Sequence, residues 1–95
     1  MELRPNCENC DKALPNGSTA AMICTFDCTF CIACVTEILQ NVCPNCGGGF
    51  EKRPTRPKAL LQKYPPSDTK VLKPVDLEKF QETLQKYKGV DPSER

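Results

Sequence analysis

Cysteine is the residue type through which this chain can do chemistry. Eight cysteines fall within the first 46 of its 95 positions, and there is no histidine. They run Cys7-x2-Cys10, then Cys24-x3-Cys28-x2-Cys31-x2-Cys34, then Cys43-Pro44-Asn45-Cys46. A thiolate is a soft ligand, and two intervening residues let one tight turn bring both sulfurs to a metal. The set supplies two closed tetrahedral sites of four cysteines each, and it predicts two zinc ions as cofactors. Asn9 suits the turn of the first Cys-x-x-Cys knuckle and Pro44 fixes the entry dihedral of the last. Gly47 tolerates the positive φ that closes that last knuckle.

Disulfides are the competing use of so many cysteines. The start of the chain, Met-Glu-Leu-Arg-Pro-Asn-Cys, lacks the apolar run of ~7–15 residues that a secretory signal needs. No stretch approaches the ~18 apolar residues of a membrane span, so no membrane partner is expected. The chain therefore reads as cytoplasmic, where thiols stay reduced and dense Cys-x-x-Cys spacing means metal. The cysteine run of bacterial ferredoxins, C-x2-C-x2-C-x3-C-P, does not match, because here the wide gap comes first. Which thiols share a metal is left open by spacing alone. Sequential pairing joins Cys7, Cys10, Cys24 and Cys28, with Cys31, Cys34, Cys43 and Cys46 on the other ion. Interleaved pairing joins Cys7 and Cys10 with Cys31 and Cys34, and Cys24 and Cys28 with Cys43 and Cys46. Interleaving would tie together the halves of a core that has few large apolar residues.

Charge separates along the chain. The first fifty residues hold five acids (Glu2, Glu8, Asp11, Asp27, Glu37) and two bases (Arg4, Lys12). A coordinating thiol loses its proton, so two filled four-thiolate zinc sites shift the formal net charge from +1 to about −3. Such an anionic module is ill suited to grip nucleic acid by itself. Residues 51–75 carry seven bases against Glu51 and Asp68, together with five of the nine prolines. Proline lacks the amide donor and restrains its predecessor, so an extended basic arm is expected there. A single turn at Ala59–Tyr64 would let Leu60, Leu61 and Tyr64 dock on the module.

The elements that must position the cysteines are few. Short strands are expected near Ala20–Phe26, and a helix through Ile32–Asn41 with Ile32, Val35, Ile38, Leu39 and Val42 at a 3.6 period. Residues 76–89 read as an amphipathic helix, capped by Asp76 and ended by Gly89. Its apolar stripe, Leu77, Phe80, Leu84 and Tyr87, either packs back on the module or serves as a partner-binding face. Residues 90–95 read as a frayed tail.

Two resemblances attach to these residues. Ile23-Cys24-x3-Cys28-Thr29-Phe30-Cys31-x2-Cys34, a short helix and Cys43-Pro44-x-Cys46 resemble a RING finger over residues 7–46. Cys28 stands where that family often has a histidine. The resemblance implies cross-brace, that is interleaved, pairing. The chain also resembles a small bacterial eight-cysteine family of uncharacterised proteins over about residues 3–74. That likeness rests on Leu3-Arg4-Pro5-Asn6-Cys7, Cys-Thr-Phe-Cys at 28–31, Cys-Pro-Asn-Cys-Gly-Gly at 43–48, and the Arg-Pro, Leu-Leu and Lys-Tyr-Pro elements beyond. The fold class expected is a small metal-stabilised α+β module, RING-like, with a proline-rich basic arm and a C-terminal amphipathic helix.

With eight thiols filling two sites and no histidine, the usual open metal position and general base are both missing, so no enzyme is expected. The function expected is a structural two-zinc module that binds a protein partner. One alternative is nucleic-acid binding through Lys52, Arg53, Arg56 and Lys58 of the arm. The other, which the RING resemblance implies, is a ubiquitin ligase. That family's carrier-binding face usually has an apolar residue after the first cysteine, an aromatic on the central helix and a basic residue after the last cysteine. Here those places hold Glu8, Ile38 or Leu39, and Gly47, so only Pro44 and the aliphatic pair survive.

Overall fold

A computed structural model of the chain describes residues 1–95. Strands β1 (Ala21–Ile23) and β2 (Thr29–Cys31) form an antiparallel hairpin around the loop from Cys24 to Cys28. Strand β3 (Glu51–Lys52) pairs with the other edge of β1, giving the order β2-β1-β3. Met22 stands opposite Phe30 on one side and Lys52 on the other. Helix α1 (Ile32–Cys34) leaves β2 directly and widens into a π-type turn, Val35–Leu39. Gln40 (φ 49°) and Asn41 (φ 61°) end it in the left-handed region. Asparagine enters that region more readily than most residues, and here its Oδ1 also accepts from the Phe50 amide at 2.9 Å. Helices α2 (Lys58–Leu61) and α3 (Leu77–Tyr87) follow, then a 3-10 turn at Pro92–Glu94.

Phe30 lies at the centre of the core, edge-on to Phe50 with ring centroids 5.5 Å apart. Leu14, Val35, Leu39 and Val42 close around them. Six of the fifteen residues of this cluster are cysteines, so the interior is built as much around sulfur as around hydrocarbon. The apolar set expected on the first helix splits for this reason. Cys34 takes part of the inward face, Val35, Leu39 and Val42 are buried, and Ile32 and Ile38 are left exposed. The strand expected over Ala20–Phe26 stops at Ile23, because residues 24–28 turn to present their two sulfurs.

The basic arm is not a free linker. It begins as β3 and then runs across the N-terminal edge of the module as a strap. Three of its amides find acceptors there: Ser67 N donates to Leu3 O at 2.8 Å, Lys73 N to Glu8 O at 2.8 Å, and Val75 N to Asn9 Oδ1 at 2.9 Å. Asn6 Nδ2 donates in return to Val71 O, and Asn16 and Arg56 exchange two hydrogen bonds. Prolines fix much of the path, so fewer backbone torsions must be ordered to lay it down. The turn at α2 forms, but Leu60 and Tyr64 face solvent instead of docking on the module.

The C-terminal stripe is used internally. Asp76 caps α3 by accepting from the amides of Glu78 and Lys79, and Gly89 follows the helix at φ +76°. Phe80 (4% exposed) and Leu84 join the central core, and Tyr87 packs against it. As a partner-binding face the stripe therefore keeps only Leu77, at 55% exposure. The tail expected to fray is docked as well. Arg95 donates to the carbonyls of Val90, Asn41 and Gly47 at 3.0, 2.9 and 3.0 Å. Phe80→Ala should cost on the order of 3 kcal/mol in denaturant unfolding, whereas Leu77→Ala should stay within about 0.5 kcal/mol. Equal effects from the two substitutions would mean that α3 does not pack in this way.

Candidate metal centres

Two residues separate Cys28 from Cys31, as in a knuckle, yet that segment is strand. Along an extended backbone the two Cα atoms lie about 10 Å apart, so the pair is carried to different centres. The sulfurs of Cys7, Cys10, Cys31 and Cys34 gather in one group, all within 4.8 Å of one another. Those of Cys24, Cys28 and Cys43 gather in a second, under the same limit. Cys46 does not lie within that limit of all three, but it stands against Cys24 and Cys43 and completes a set of four. The hairpin thus brings its two loop cysteines to the second centre. The end of β2 supplies Cys31, and the end of α1 supplies Cys34, to the first.

Four sulfurs at about 2.3 Å from one ion in a tetrahedron stand about 3.8 Å apart. In the first group Cys10 and Cys31 are 3.7 Å apart, and Cys7 and Cys34 are 3.9 Å apart. A disulfide needs about 2.05 Å, and all eight cysteines are free. Both groups can hold a metal ion, and the all-sulfur donor set suits a soft or borderline one.

A layer of donors surrounds the sulfurs. Knuckle amides point at them: Phe26 N to Cys24 Sγ at 3.3 Å, Asn45 N to Cys43 Sγ and Gly48 N to Cys46 Sγ at 3.4 Å. Thr25 Oγ1 donates to Cys46 Sγ. The knuckles Cys7-Glu-Asn-Cys10 and Cys43-Pro-Asn-Cys46 share an asparagine before the second cysteine. Each asparagine reaches across to a sulfur of the other pair at its own centre: Asn9 Nδ2 to Cys34 at 3.4 Å, and Asn45 Nδ2 to Cys28 at 3.3 Å. Such bonds orient ligands and stabilise the thiolate form. Sequence reading gave Asn9 a turn role only; the repeated Cys-x-Asn-Cys was the available signal.

As free thiols the cysteines respond to burial. It pushes Cys24 up to about 11, Cys34 up to about 12, and Cys43 higher still. Cys10 is also raised by burial. At Cys7 and Cys46 burial acts in the same direction, but hydrogen bonds outweigh it and bring both down, Thr25 contributing most at Cys46.

Glu8 and Arg53 hold the frame around the first centre. Glu8, 5% exposed, turns its carboxylate inward to Arg4 Nη1 at 2.8 Å and to the Thr29 amide. At Arg4 burial opposes the charge, but the hydrogen bonds it donates to Glu8 and Glu2 outweigh it and raise the pKa. Arg53, a candidate phosphate contact from sequence, is 2% exposed. Its guanidinium donates to the carbonyls of Arg4, Leu14 and Pro15 at 2.8, 2.8 and 3.0 Å, and burial lowers its pKa. It cannot meet a nucleic acid. Arg56 is likewise engaged, with Tyr64 O and Met1 O, while Lys52 and Lys58 remain exposed.

Fold and sites together define a small α+β module with two cysteine clusters able to bind metal. The chain belongs to the family described as "Protein of unknown function (DUF1272)", whose profile matches residues 1–56. It is 57% identical over 74 residues to an uncharacterized protein of Rhizobium meliloti (strain 1021), covering 78% of this chain and 88% of that one. No solved structure matches the chain. No helix is long and apolar enough to cross a membrane.

Metal affinity at the second centre should fall with acidification. A pKa raised to about 11 at Cys24, and higher at Cys43, keeps both protonated at neutral pH without metal. Binding must displace those protons, which alone weakens affinity about a hundredfold per pH unit lowered. Competition with a chelator at pH 8 and pH 6 measures this, and a pH-independent affinity would exclude these thiols as ligands.

Proposed function

We propose that the chain is a RING-like two-zinc module whose role is to bind another protein. The observation that carries the zinc reading is the interleaved grouping of sulfurs, with separations of 3.7 and 3.9 Å. Interleaving is also the cross-brace arrangement that the RING resemblance implies. Zinc would be held by Cys7, Cys10, Cys31 and Cys34 at one centre, and by Cys24, Cys28, Cys43 and Cys46 at the other. When bound it supplies positive charge among thiolates and closes the fold, without redox chemistry of its own. Elemental analysis of the purified protein should give two zinc ions per chain and no iron. Chelation should unfold residues 1–50, since structural zinc contributes about 10–16 kcal/mol of apparent binding free energy in small fingers. One zinc per chain, or an iron–sulfur absorption band, would refute the assignment.

The interaction reading rests on what is left free. The thiols are committed to the two centres and α3 to the core, which leaves apolar side chains of the module itself facing solvent. Phe26, at the tip of the Cys24-to-Cys28 loop, is 73% exposed, and aromatic residues so placed are frequent anchors at interfaces. Against a ubiquitin-ligase role stands the state of the corresponding face. Glu8 is turned inward, Tyr87 lies over Gly47, and Pro44 and Asn45 border a cleft whose far wall is Lys73–Phe80 of the same chain. Phe26→Ala should abolish capture of the partner from native cells while leaving two zinc ions in place. Discharge of a ubiquitin-charged carrier by the unmodified protein would overturn the reading.

A further inference from the structure

The run Gly47-Gly48-Gly49, directly after Cys46, is more than a knuckle ending. A Cβ added at Gly47 would stand 2.7 Å from Cε2 of Tyr87, and one at Gly49 would stand 2.7 Å from Cγ of Pro92. Contacts that short are not sustained by real side chains, so the C-terminal segment seats itself where the backbone is bare. Arg95 adds a bond to the Gly47 carbonyl and lies 5.9 Å from the Tyr87 ring centre, over its face. Within the same loop, Gly47 N donates to Cys43 O and Cys43 N to Gly48 O. Gly48 N in turn donates to Cys46 Sγ. The loop that presents Cys43 and Cys46 is therefore clamped from outside by α3 and the residues after it.

The first centre lacks such a cover at one ligand, since Cys10 is exposed. Its link to the strap runs through Asn9, which accepts from Val75 N and donates to Cys34 Sγ. That link lies before α3, and the strap has its own bonds at Ser67, Val71 and Lys73. The two centres therefore depend on different stretches of the chain beyond residue 50.

We propose that residues 77–95 act as a guard on the second metal centre: docked on Gly47 and Gly49, they slow the loss of its metal, and that loss in turn frees α3. The coupling is reciprocal, because any segment that docks better on the metal-loaded loop must also favour the loaded state. Oxidants or chelating partners would then strip the first centre first, through Cys10. Only removal of the second ion would uncover the stripe of Phe80, Leu84 and Tyr87. The proposal rests on the two-zinc reading.

The test uses the full-length zinc-loaded protein, a chromogenic chelator, and alkylation of the freed cysteines followed by peptide mapping. Tyr87→Ala and Arg95→Ala should each speed release of one zinc equivalent, on the order of tenfold, with alkylation appearing sooner at Cys43 and Cys46. Alkylation at Cys7 and Cys10 should keep its rate. Leu77→Ala, on the exposed side of α3, should change neither. Arg95→Ala removes three hydrogen bonds to backbone carbonyls and no core side chain, so it remains informative if Tyr87→Ala fails to fold. Release unchanged in both guard variants, or accelerated equally at the two centres, would overturn the guard. A purified protein holding fewer than two zinc ions would instead overturn the metal assignment beneath it.

Discussion

Four pairs of cysteines must converge on two points, and each point draws on distant parts of the chain. That constraint shapes nearly everything else in the molecule. Cys7 and Cys10 have to reach Cys31 and Cys34, while the loop between β1 and β2 has to reach the knuckle at Cys43 and Cys46. A strand of three residues, β2, separates the two centres and carries Phe30 into the core between them. With six cysteines in the core cluster, the apolar surface available is small for a chain of this length. A core of that kind supplies little stability by itself, and ligation of the sulfurs would contribute what hydrocarbon does not.

Polar groups are fitted around this skeleton with few left over. Asn9 and Asn45 each reach across a centre to a sulfur of the opposite pair, so the knuckles brace each other through side-chain amides as well as through the sulfurs they bring together. Glu8 and Arg53 show how buried charge is tolerated. Glu8 meets Arg4 and a strand amide, and Arg53 meets three carbonyls, so neither is left unpaired at the several kcal/mol that isolation would cost. Arg53 thereby ties the end of β3 to both the Arg4 and the Leu14–Pro15 segments. Its position in a basic stretch had suggested a surface role.

The second half of the chain completes the module. An eleven-residue helix is marginal alone in water, and α3 gains its stability from Phe80 and Leu84 entering the core. The strap from β3 to Val75 lies along the N-terminal edge, and Arg95 closes the far end on Asn41 and Gly47. Division into a cysteine module, an arm, a helix and a tail describes composition well. Contacts cross every one of those boundaries.

Several features were legible in the residues themselves. Soft ligands in close pairs imply metal whatever the fold, because the chemistry of a thiolate is local. The Asp76 cap, the Gly89 stop and the 3.6 period of α3 were equally plain, since each depends on neighbours within a few positions. Tertiary structure alone decided what depended on distant partners. Cys28-x2-Cys31 has the spacing of a knuckle but spans two centres, because pairing with β1 extends the backbone between them. Arg53 is buried because the register of β3 delivers it to carbonyls nearly forty and fifty positions earlier. The glycines after Cys46 serve as a seat for Tyr87 and Pro92, which lie about forty residues further on. Spacing along a chain reports the reach of a turn; it carries no record of which segments later lie side by side.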